Sequence, residues 1–280
     1  MLKRIITGAV LVAILVPALI FYDTAVMPLL WALIAAVSLY ETAKCVGLWG
    51  TAERGASAVV CLISLAFPFL QFYIGRGSEV DISIVPRLLS AAFVAVFLLY
   101  AAGVFGLIKS KRSPMSELLL MLIYVTAAAV SAIAVTQSAH GGLVLPLIFL
   151  GSWITDSAAY FCGSFFGRHK LIPKISPKKT VEGSIGGTLF CGLFCAGYGA
   201  VVAAVTDLSV SYAQLIISGI FLSIVSQIGD LNASYIKREH GIKDFGTLFP
   251  GHGGMLDRFD SVIAAAPFLY ILSCFCTYFA

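Results

Sequence analysis

Residues 227–261 read QIGDLNASYIKREHGIKDFGTLFPGHGGMLDRFDS, a polar stretch between two long apolar runs. Of the 18 Lys and Arg and 14 Asp and Glu residues in the chain, nine lie in this window. Its many glycines let backbone amides approach a phosphate closely. Carboxylates suit a hard divalent cation, and lysine and arginine match phosphate oxygens. The stretch therefore predicts a site for a metal ion and a phosphate compound.

The rest of the chain is strongly apolar. Its 280 residues are 60% hydrophobic and only 11% charged, with a mean hydropathy of +0.98. A soluble domain averages about 25% charged residues, whereas a helix that spans a bilayer needs roughly 20 apolar residues. We therefore predict an all-α, polytopic integral membrane bundle of about nine transmembrane helices. The predicted spans are 5–22, 25–43, 57–75, 86–108, 116–138, 142–165, 184–206, 211–230 and 261–279.

The distribution of Lys and Arg between loops predicts the orientation of these spans. With the N-terminus in the cytoplasm, 16 of the 18 cations fall on the cytoplasmic side. The two that fall outside are Arg76 and Arg87. The C-terminus is then expected on the outer side.

The polar residues divide the chain into two regions. Residues 1–140, which contain spans 1 to 5, include few candidate functional residues and are predicted to be a transmembrane scaffold. Residues 141–280, which contain spans 6 to 9, are predicted to be the catalytic region, with cytoplasmic loops 166–183 and 231–260. Glu41, a lone acid in the second span, is expected to snorkel or cap a helix rather than bind a ligand.

Two further polar features lie in spans 6 and 7. Asp156 lies well inside the apolar sixth span, and since an ionised carboxylate in hydrocarbon is costly, it should face a polar cavity or a cation. The run Lys178–Thr180 precedes a glycine-rich helix start, where free N–H groups and the helix dipole attract an anion. The spacing of Gly163 and Gly167 is typical of close helix packing.

Three carboxylates are expected at the inner ends of the last two spans. Asp230 lies at the end of the eighth span, and Asp257 and Asp260 lie at the start of the ninth. If that start is helical, the i, i+3 spacing puts Asp257 and Asp260 on one face. These acids and Asp156 would all open on the cytoplasmic side, where a soluble nucleotide is found.

The same window resembles the signature of the phosphatidate cytidylyltransferases, the CDP-diacylglycerol synthases. That pattern has Ser, Lys-Arg, Lys-Asp, His-Gly-Gly and Asp-Arg-x-Asp at set spacings. It falls here, without departure, on Ser234, Lys237, Arg238, Lys243, Asp244, His252, Gly253, Gly254, Asp257, Arg258 and Asp260. The resemblance is sharp over about residues 153–261 and only compositional before them.

The resemblance implies a reaction in which CTP and phosphatidic acid give CDP-diacylglycerol and pyrophosphate, with Mg²⁺ and room for a second cation. Such nucleotidyl transfer needs a cation against the triphosphate and basic donors for its oxygens. It needs no covalent protein residue, because the lipid phosphate is the nucleophile. The resemblance also implies a homodimer in a bacterial cell inner membrane with its active site facing the cytoplasm, and we expect no nucleic-acid partner.

These considerations assign a role to each polar residue. The predicted Mg²⁺ ligands are Asp230 and Asp257, with Asp260 as a third ligand or orienting group and Asp156 as a second metal or polar-network ligand. The predicted catalytic set is Asp230, Asp257, Asp260, Lys237 and Arg258. The predicted substrate-binding residues are Lys178, Lys179, Thr180, Ser234, Arg238, Lys243, His252, Gly253 and Gly254. Lys237 and Arg258 are expected to bind phosphates too, and the role of Ser234 stays open.

Two other functions fit part of the pattern. An ion-coupled membrane transporter also uses intramembrane acids and kinked helices, but it predicts paired broken helices in two related halves, which the sequence does not show. A CDP-alcohol phosphatidyltransferase would also join a divalent metal to a nucleotide lipid. Its DGxxAR motif is absent from the sequence.

Overall fold

A computed structural model describes residues 2–50, 52–77, 84–108, 112–249, 251 and 253–280. Helix covers most of each of the nine predicted spans there, although the last helix ends at Ser273 rather than at residue 279. The helices are α1 (Leu2–Ile20), α2 (Val26–Cys45), α3 (Arg54–Gly77), α4 (Ile84–Val104), α5 (Pro114–Thr136), α6 (Gly141–Val144), α7 (Pro146–Phe149), α8 (Thr155–Phe166), α9 (Val181–Val205), α10 (Tyr212–Glu239) and α11 (Leu256–Ser273). Long apolar runs become helices because a helix satisfies its backbone hydrogen bonds within the segment.

Membrane-spanning length is reached by most of these segments. Among the described residues, the helices of spans 2 to 8 are long and apolar enough to cross a membrane. The apolar part of α1, Gly8–Ile20, is shorter, and α11 carries three charged residues in its first two turns. The prediction of an all-α, polytopic membrane protein is confirmed.

Helix α5 is the core of the first five spans. It packs against α2, α3, α4 and α11, and every residue from Tyr124 to Thr136 is buried. Most of these residues are small, which lets the surrounding helices approach closely. Helices α3 and α9 are mostly exposed, so they form the faces of the bundle that meet lipid.

A second group of helices comprises α8, α9 and α10, which pack on one another. A Cβ atom on Gly163 of α8 would lie 2.8 Å from Thr180 Oγ1, and one on Gly187 of α9 would lie 2.9 Å from the Thr155 carbonyl oxygen. The α8–α9 contact therefore depends on small residues, as expected from the Gly163–Gly167 spacing. Helix α11 packs against both α10 and α5 and joins the two groups.

The sixth span is broken. After α6 and α7, the backbone forms a π turn over Leu150–Ile154 before α8 begins. Gly151 permits this turn to lie against α10, since a Cβ there would be 2.9 Å from Leu222 Cβ. Its carbonyl accepts a hydrogen bond from Thr155 Oγ1 at 2.6 Å. Such turns are frequent at functional sites, and this one directly precedes Asp156.

The polar ends of the last two spans are more helical than predicted. Helix α10 continues past the predicted end at residue 230 to Glu239, and α11 begins at Leu256 rather than at 261. These helices continue beyond their apolar spans, because polar residues can stay helical where the helix extends out of the membrane. Asp230, Ser234 and Lys237 consequently lie on one face of α10, spaced i, i+4 and i+7.

The predicted loop 166–183 contains a β hairpin. Strand β1 (Lys170–Ile172) pairs antiparallel with β2 (Ser176–Thr180), with Lys170 opposite Thr180. Residues Val104, Ile175 and Leu231 form a small apolar cluster beneath it. The cluster fixes the hairpin against the ends of α4 and α10.

Candidate active site

A cavity of about 370 Å³ opens between α8, the hairpin, α9 and α10. Asp156 faces it from α8, Asp230 from α10, and the run Lys178–Thr180 from β2. The first turn of α9, with Gly183 and Ser184, forms another part of the wall. The cavity thus brings together five predicted site residues from three separate segments.

An ion pair between two lining residues forms part of the cavity wall. Lys179 Nζ lies 2.5 Å from Asp230 Oδ2 and donates to the Gln227 carbonyl at 3.3 Å. The Lys179 side chain is 23% exposed and the Asp230 side chain 27%. The pair is therefore held in place and can still be reached from the cavity.

The start of α9 is fixed at the cavity wall by two side chains. Thr180 Oγ1 accepts from the Gly183 N–H at 3.1 Å and caps the helix. Glu182 accepts from the N–H groups of Arg168 and His169 at 3.0 and 3.2 Å, which holds the turn after α8 against α9. Because a helix N-terminus carries partial positive charge, this wall attracts anions.

Three carboxylates from three helices adjoin one another beside the cavity. Asp260 of α11 adjoins Asp230 of α10, and Asp156 of α8 repels both electrostatically. Ser261 joins two of them, since its hydroxyl donates to Asp156 Oδ2 at 3.4 Å and its N–H to Asp260 Oδ1 at 2.8 Å. In the part of the chain that the structure describes, no three His, Cys, Asp or Glu side chains form a ready metal cage.

Asp257 has a different environment. Its Oδ1 lies 2.8 Å from Lys237 Nζ, and its Oδ2 accepts from the N–H groups of Phe245 and Gly254 at 2.8 and 2.9 Å. The Asp257 side chain is 2% exposed and that of Lys237 10%. Lys237 also acts electrostatically on Asp230 and Asp260. Its ammonium group therefore contacts Asp257 and is within electrostatic range of the other two acids.

Glu41 of α2 reaches the same end of the bundle. Its two carboxylate oxygens accept from the N–H groups of Met255 and Leu256, both at 2.9 Å. Cβ atoms on Gly246 or Gly254 would collide with the Glu41 carboxylate. Of the two structural roles expected for Glu41, snorkelling and capping, the structure shows capping, and the capped helix is α11, which carries Asp257 and Asp260.

The glycine turn before α11 closes tightly. Gly251 and Gly253 have φ values of +79° and +84°, a region that favours glycine. The Phe249 N–H donates to the Gly253 carbonyl at 2.8 Å. His252, predicted to lie near the nucleotide, is outside the described residues.

The other predicted residues lie around these groups. Arg258 follows Asp257 in α11, and its Nε is buried without a hydrogen-bond partner among the described residues. Its charge acts on Asp156. Ser234 is half-buried on α10, whereas Arg238 and Lys243 are exposed, with Arg238 Nη1 donating to the Ile242 carbonyl at 2.9 Å. Arg238 and Lys243 therefore lie at the outer edge of the acid cluster rather than within it.

The prediction missed several residues that hold the site together. Gln227, Glu182 and Ser261 each bond directly to a predicted site residue or to the segment that carries it. Gln227 precedes Asp230 by almost one helical turn, so its position was open to sequence reasoning once α10 was known to be helical there. The contacts of Glu182 depend on the turn after α8, and no local sequence pattern predicted that turn.

Comparison with known proteins identifies the family. The model of the Cytidylyltransferase family matches residues 2–276. The chain belongs to this family. The resemblance drawn from the signature window is thereby confirmed.

Individual members of the cytidylyltransferase family match the chain in part. Phosphatidate cytidylyltransferases of Bacillus subtilis (strain 168), Brucella melitensis biotype 1 and Aquifex aeolicus (strain VF5) are 43%, 46% and 46% identical to it over 120, 131 and 129 residues. The alignments cover 43%, 47% and 46% of this chain and the same shares of the relatives. The chain thus aligns with a little under half of the length of each of them.

The geometry of this cytidylyltransferase-family member suits a phosphate-transfer site. Lys178, Lys179 and the start of α9 supply positive charge to the cavity lining, and Asp156 and Asp230 supply negative charge to it. Such a pairing can hold phosphate oxygens against a cation.

Proposed function

We propose that this protein is a phosphatidate cytidylyltransferase. A phosphate oxygen of phosphatidic acid forms a bond to the α-phosphorus of CTP. The bond from that phosphorus to the oxygen bridging to the β-phosphate breaks, and CDP-diacylglycerol and pyrophosphate are the products. The observation that carries the proposal is the cavity lined by Lys179 and the start of α9 together with Asp156 and Asp230.

The basic groups would bind the reacting phosphates. Lys178 and Lys179 lie on the same wall as the capped N-terminus of α9, so their charges and its N–H groups act together on one anion. Arg258 has a buried Nε without a hydrogen-bond partner among the described residues, and a phosphate oxygen would satisfy it. These groups stabilise negative charge on the leaving pyrophosphate.

We also propose Mg²⁺ as the cofactor, which when bound would neutralise the triphosphate. The residues fit such an ion, because Asp156 and Asp230 line one cavity, Ser261 joins Asp156 to Asp260, and Mg²⁺ commonly takes only one or two carboxylates plus substrate phosphates. In the structure, Lys179 contacts Asp230, and Lys237, paired with Asp257, acts electrostatically on Asp230 and Asp260. Asp257 as a ligand stays a prediction, since both of its oxygens have protein donors.

The orientation belongs to the same proposal. Contacts such as that of Glu41 with Met255 place the end of α2 beside the start of α11, and the hairpin lies beside the end of α4. These are loops that the positive-inside rule assigns to the cytoplasm. We therefore propose a bacterial inner-membrane enzyme with its site facing the cytoplasm. The homodimer implied by the resemblance stays a prediction.

The test is release of pyrophosphate from CTP by the purified full chain, with and without phosphatidic acid. Wild type should release pyrophosphate only with the lipid present. Asp230→Asn should lower kcat at least about a hundredfold, because it removes a charge that the transition state requires. Asp207→Asn changes an exposed acid on the α9–α10 connection, away from the cavity, and should leave kcat unchanged.

Two outcomes would overturn the proposal. Wild type that releases no pyrophosphate with phosphatidic acid is not this enzyme. Movement of an ion or solute across vesicles without chemistry would favour the transporter instead. Near-normal turnover by Asp230→Asn would remove Asp230 from the catalytic set.

A further inference from the structure

A second cavity of about 700 Å³ adjoins the first on the other side of the hairpin. It lies between Gly103–Gly106 at the end of α4, the hairpin residues Leu171–Ile175, and the last turns of α10. Leu171 lines both cavities. The proposed reaction uses the first cavity for phosphates and leaves the second without a role.

The walls of the second cavity suit a flat ring. Tyr235 of α10 lies directly over Gly103, where a Cβ atom would be 2.8 Å from Tyr235 Cε1. The absence of a side chain on Gly103 therefore lets the tyrosine ring lie against α4. Phe105, which is 59% exposed, and Leu171 add apolar surface. A planar, partly apolar group would be held here by stacking and van der Waals contact.

The polar groups of the cavity form a donor beside an acceptor. Arg238 and Glu239 are adjacent at the end of α10, and both line the cavity, as does Lys174 of the hairpin, a second donor. One guanidinium N–H of Arg238 donates to the Ile242 carbonyl at 2.9 Å, which fixes where the group lies. Arginine has five such N–H donors, and an ionised glutamate only accepts.

The Arg238 donor and the Glu239 acceptor match cytosine better than uracil. Cytosine presents an amino donor next to acceptor atoms, and a glutamate carboxylate is a suitable acceptor for that amino group. Uracil has a carbonyl oxygen in place of the amino group, and that oxygen would face the Glu239 carboxylate without a hydrogen bond. Because Arg238 and Glu239 are exposed, water can partly replace the lost hydrogen bond, and we expect a modest preference for cytosine rather than complete rejection of uracil.

We propose that the second cavity receives the cytosine base of CTP, an inference that rests on the proposed function. Glu239 accepts a hydrogen bond from the exocyclic amino group, Arg238 donates to the neighbouring acceptors, and Tyr235 forms the wall of the ring site. This assigns Arg238 to the base rather than to a phosphate.

The distance along α10 is compatible with one nucleotide bridging both cavities. Asp230 and Arg238 are separated by eight residues, a rise of about 12 Å at about 1.5 Å per residue. The shared residue Leu171 marks where the ribose would pass from one cavity to the other. The phosphates then lie beside Asp230 and Lys179 and the base beside Glu239.

The experiment compares CTP with UTP in the purified full chain, by steady-state turnover with phosphatidic acid and by equilibrium binding without it. Glu239→Gln should lower the preference of kcat/KM for CTP over UTP by about tenfold, because the amide can donate to uracil as well as accept from cytosine. The KM for phosphatidic acid should stay unchanged. Asp207→Asn is the matched control and should keep the wild-type preference.

Each possible result either supports or overturns the proposed base site. An unchanged CTP-to-UTP ratio in Glu239→Gln overturns the base site. A raised KM for phosphatidic acid with normal CTP kinetics also overturns it and assigns the cavity to a lipid headgroup. If wild type binds CTP better than UTP, and Glu239→Gln loses that preference without any lipid-dependent turnover, the base site stands and the proposed reaction fails.

Discussion

Each end of the helical bundle has an acid–base pair, and the two pairs differ in burial. At one end Arg76 Nη2 lies 2.7 Å from Asp23 Oδ2, with side chains 41% and 63% exposed. At the other end Lys237 Nζ lies 2.8 Å from Asp257 Oδ1, with side chains 10% and 2% exposed. The atoms are equally close, but only the second pair is removed from water.

The difference shows how burial changes the dependence of stability on an ion pair. Water and salt screen an exposed pair, so such pairs contribute about 0–1 kcal/mol to stability. A buried charge cannot lose its partner without a large cost, and Asp257 has two backbone donors in addition to Lys237. The Asp257 end is therefore an interdependent polar network, whereas the Asp23 end is a surface contact.

The largest expected effect comes from breaking the buried pair. Lys237→Met leaves the Asp257 carboxylate buried without its cation and should lower the free energy of unfolding by about 3–5 kcal/mol. Arg76→Met, the matched change at the other end, should lower it by no more than about 1 kcal/mol. Unfolding of each variant in detergent, followed by circular dichroism, measures both values. Equal losses would remove the distinction between the two ends.

A smaller effect is expected from the helix cap. Glu41→Gln replaces one of the two oxygens that accept from Met255 and Leu256 with an NH₂ group, which should cost about 1–3 kcal/mol of stability. Turnover should fall as well, because α11 carries Asp257 and Asp260. Asp23→Asn, in the exposed pair, should change neither stability nor turnover measurably. If the two variants unfold at the same temperature and turn over equally, Glu41 does not hold α11.

The smallest effect concerns two helical glycines. A Cβ atom on Gly163, near the cavity, would lie 2.8 Å from Thr180 Oγ1, whereas one on Gly197 would have no atom of a described residue within 4 Å. Gly163→Ala should destabilise the protein by about 1 kcal/mol through overpacking and lower turnover. Gly197→Ala should stabilise it by up to about 1 kcal/mol, because alanine favours helix. Thermal unfolding of both variants checks the opposite signs, and a stabilised Gly163→Ala would show that the contact can relax.

Much of the fold was predictable because bilayer helices follow a local rule. A run of roughly 20 apolar residues has few alternatives to a helix, and helix covers most of each of the nine predicted spans. The inward position of Asp156 was predictable for the same reason, since a carboxylate among apolar residues needs a polar surrounding. The break at Leu150–Ile154 was not, because it depends on how Gly151 packs against α10.

The sequence predicted which residues belong to the candidate site better than it predicted which of them contact one another. The window 227–261 supplied Asp230, Lys237 and Asp257 by residue type and spacing alone. Which lysine contacts which carboxylate was not readable, because Lys179 lies far from Asp230 in the chain and meets it only through the hairpin. The cap from Glu41 to α11 spans more than two hundred residues, and no local pattern encodes such a contact.

The sequence by itself determined that this protein is a bundle of apolar helices with its charges gathered in one segment, and it determined the family. Hydrophobic runs and fixed motif spacings are local properties of a chain, so they can be read without coordinates. Only the tertiary structure decided that Lys179 pairs with Asp230, that Lys237 pairs with Asp257, and that Glu41 holds α11. Packing selected those partners, because a buried charge can pair only with a counter-charge or hydrogen-bond donor on a segment packed beside it.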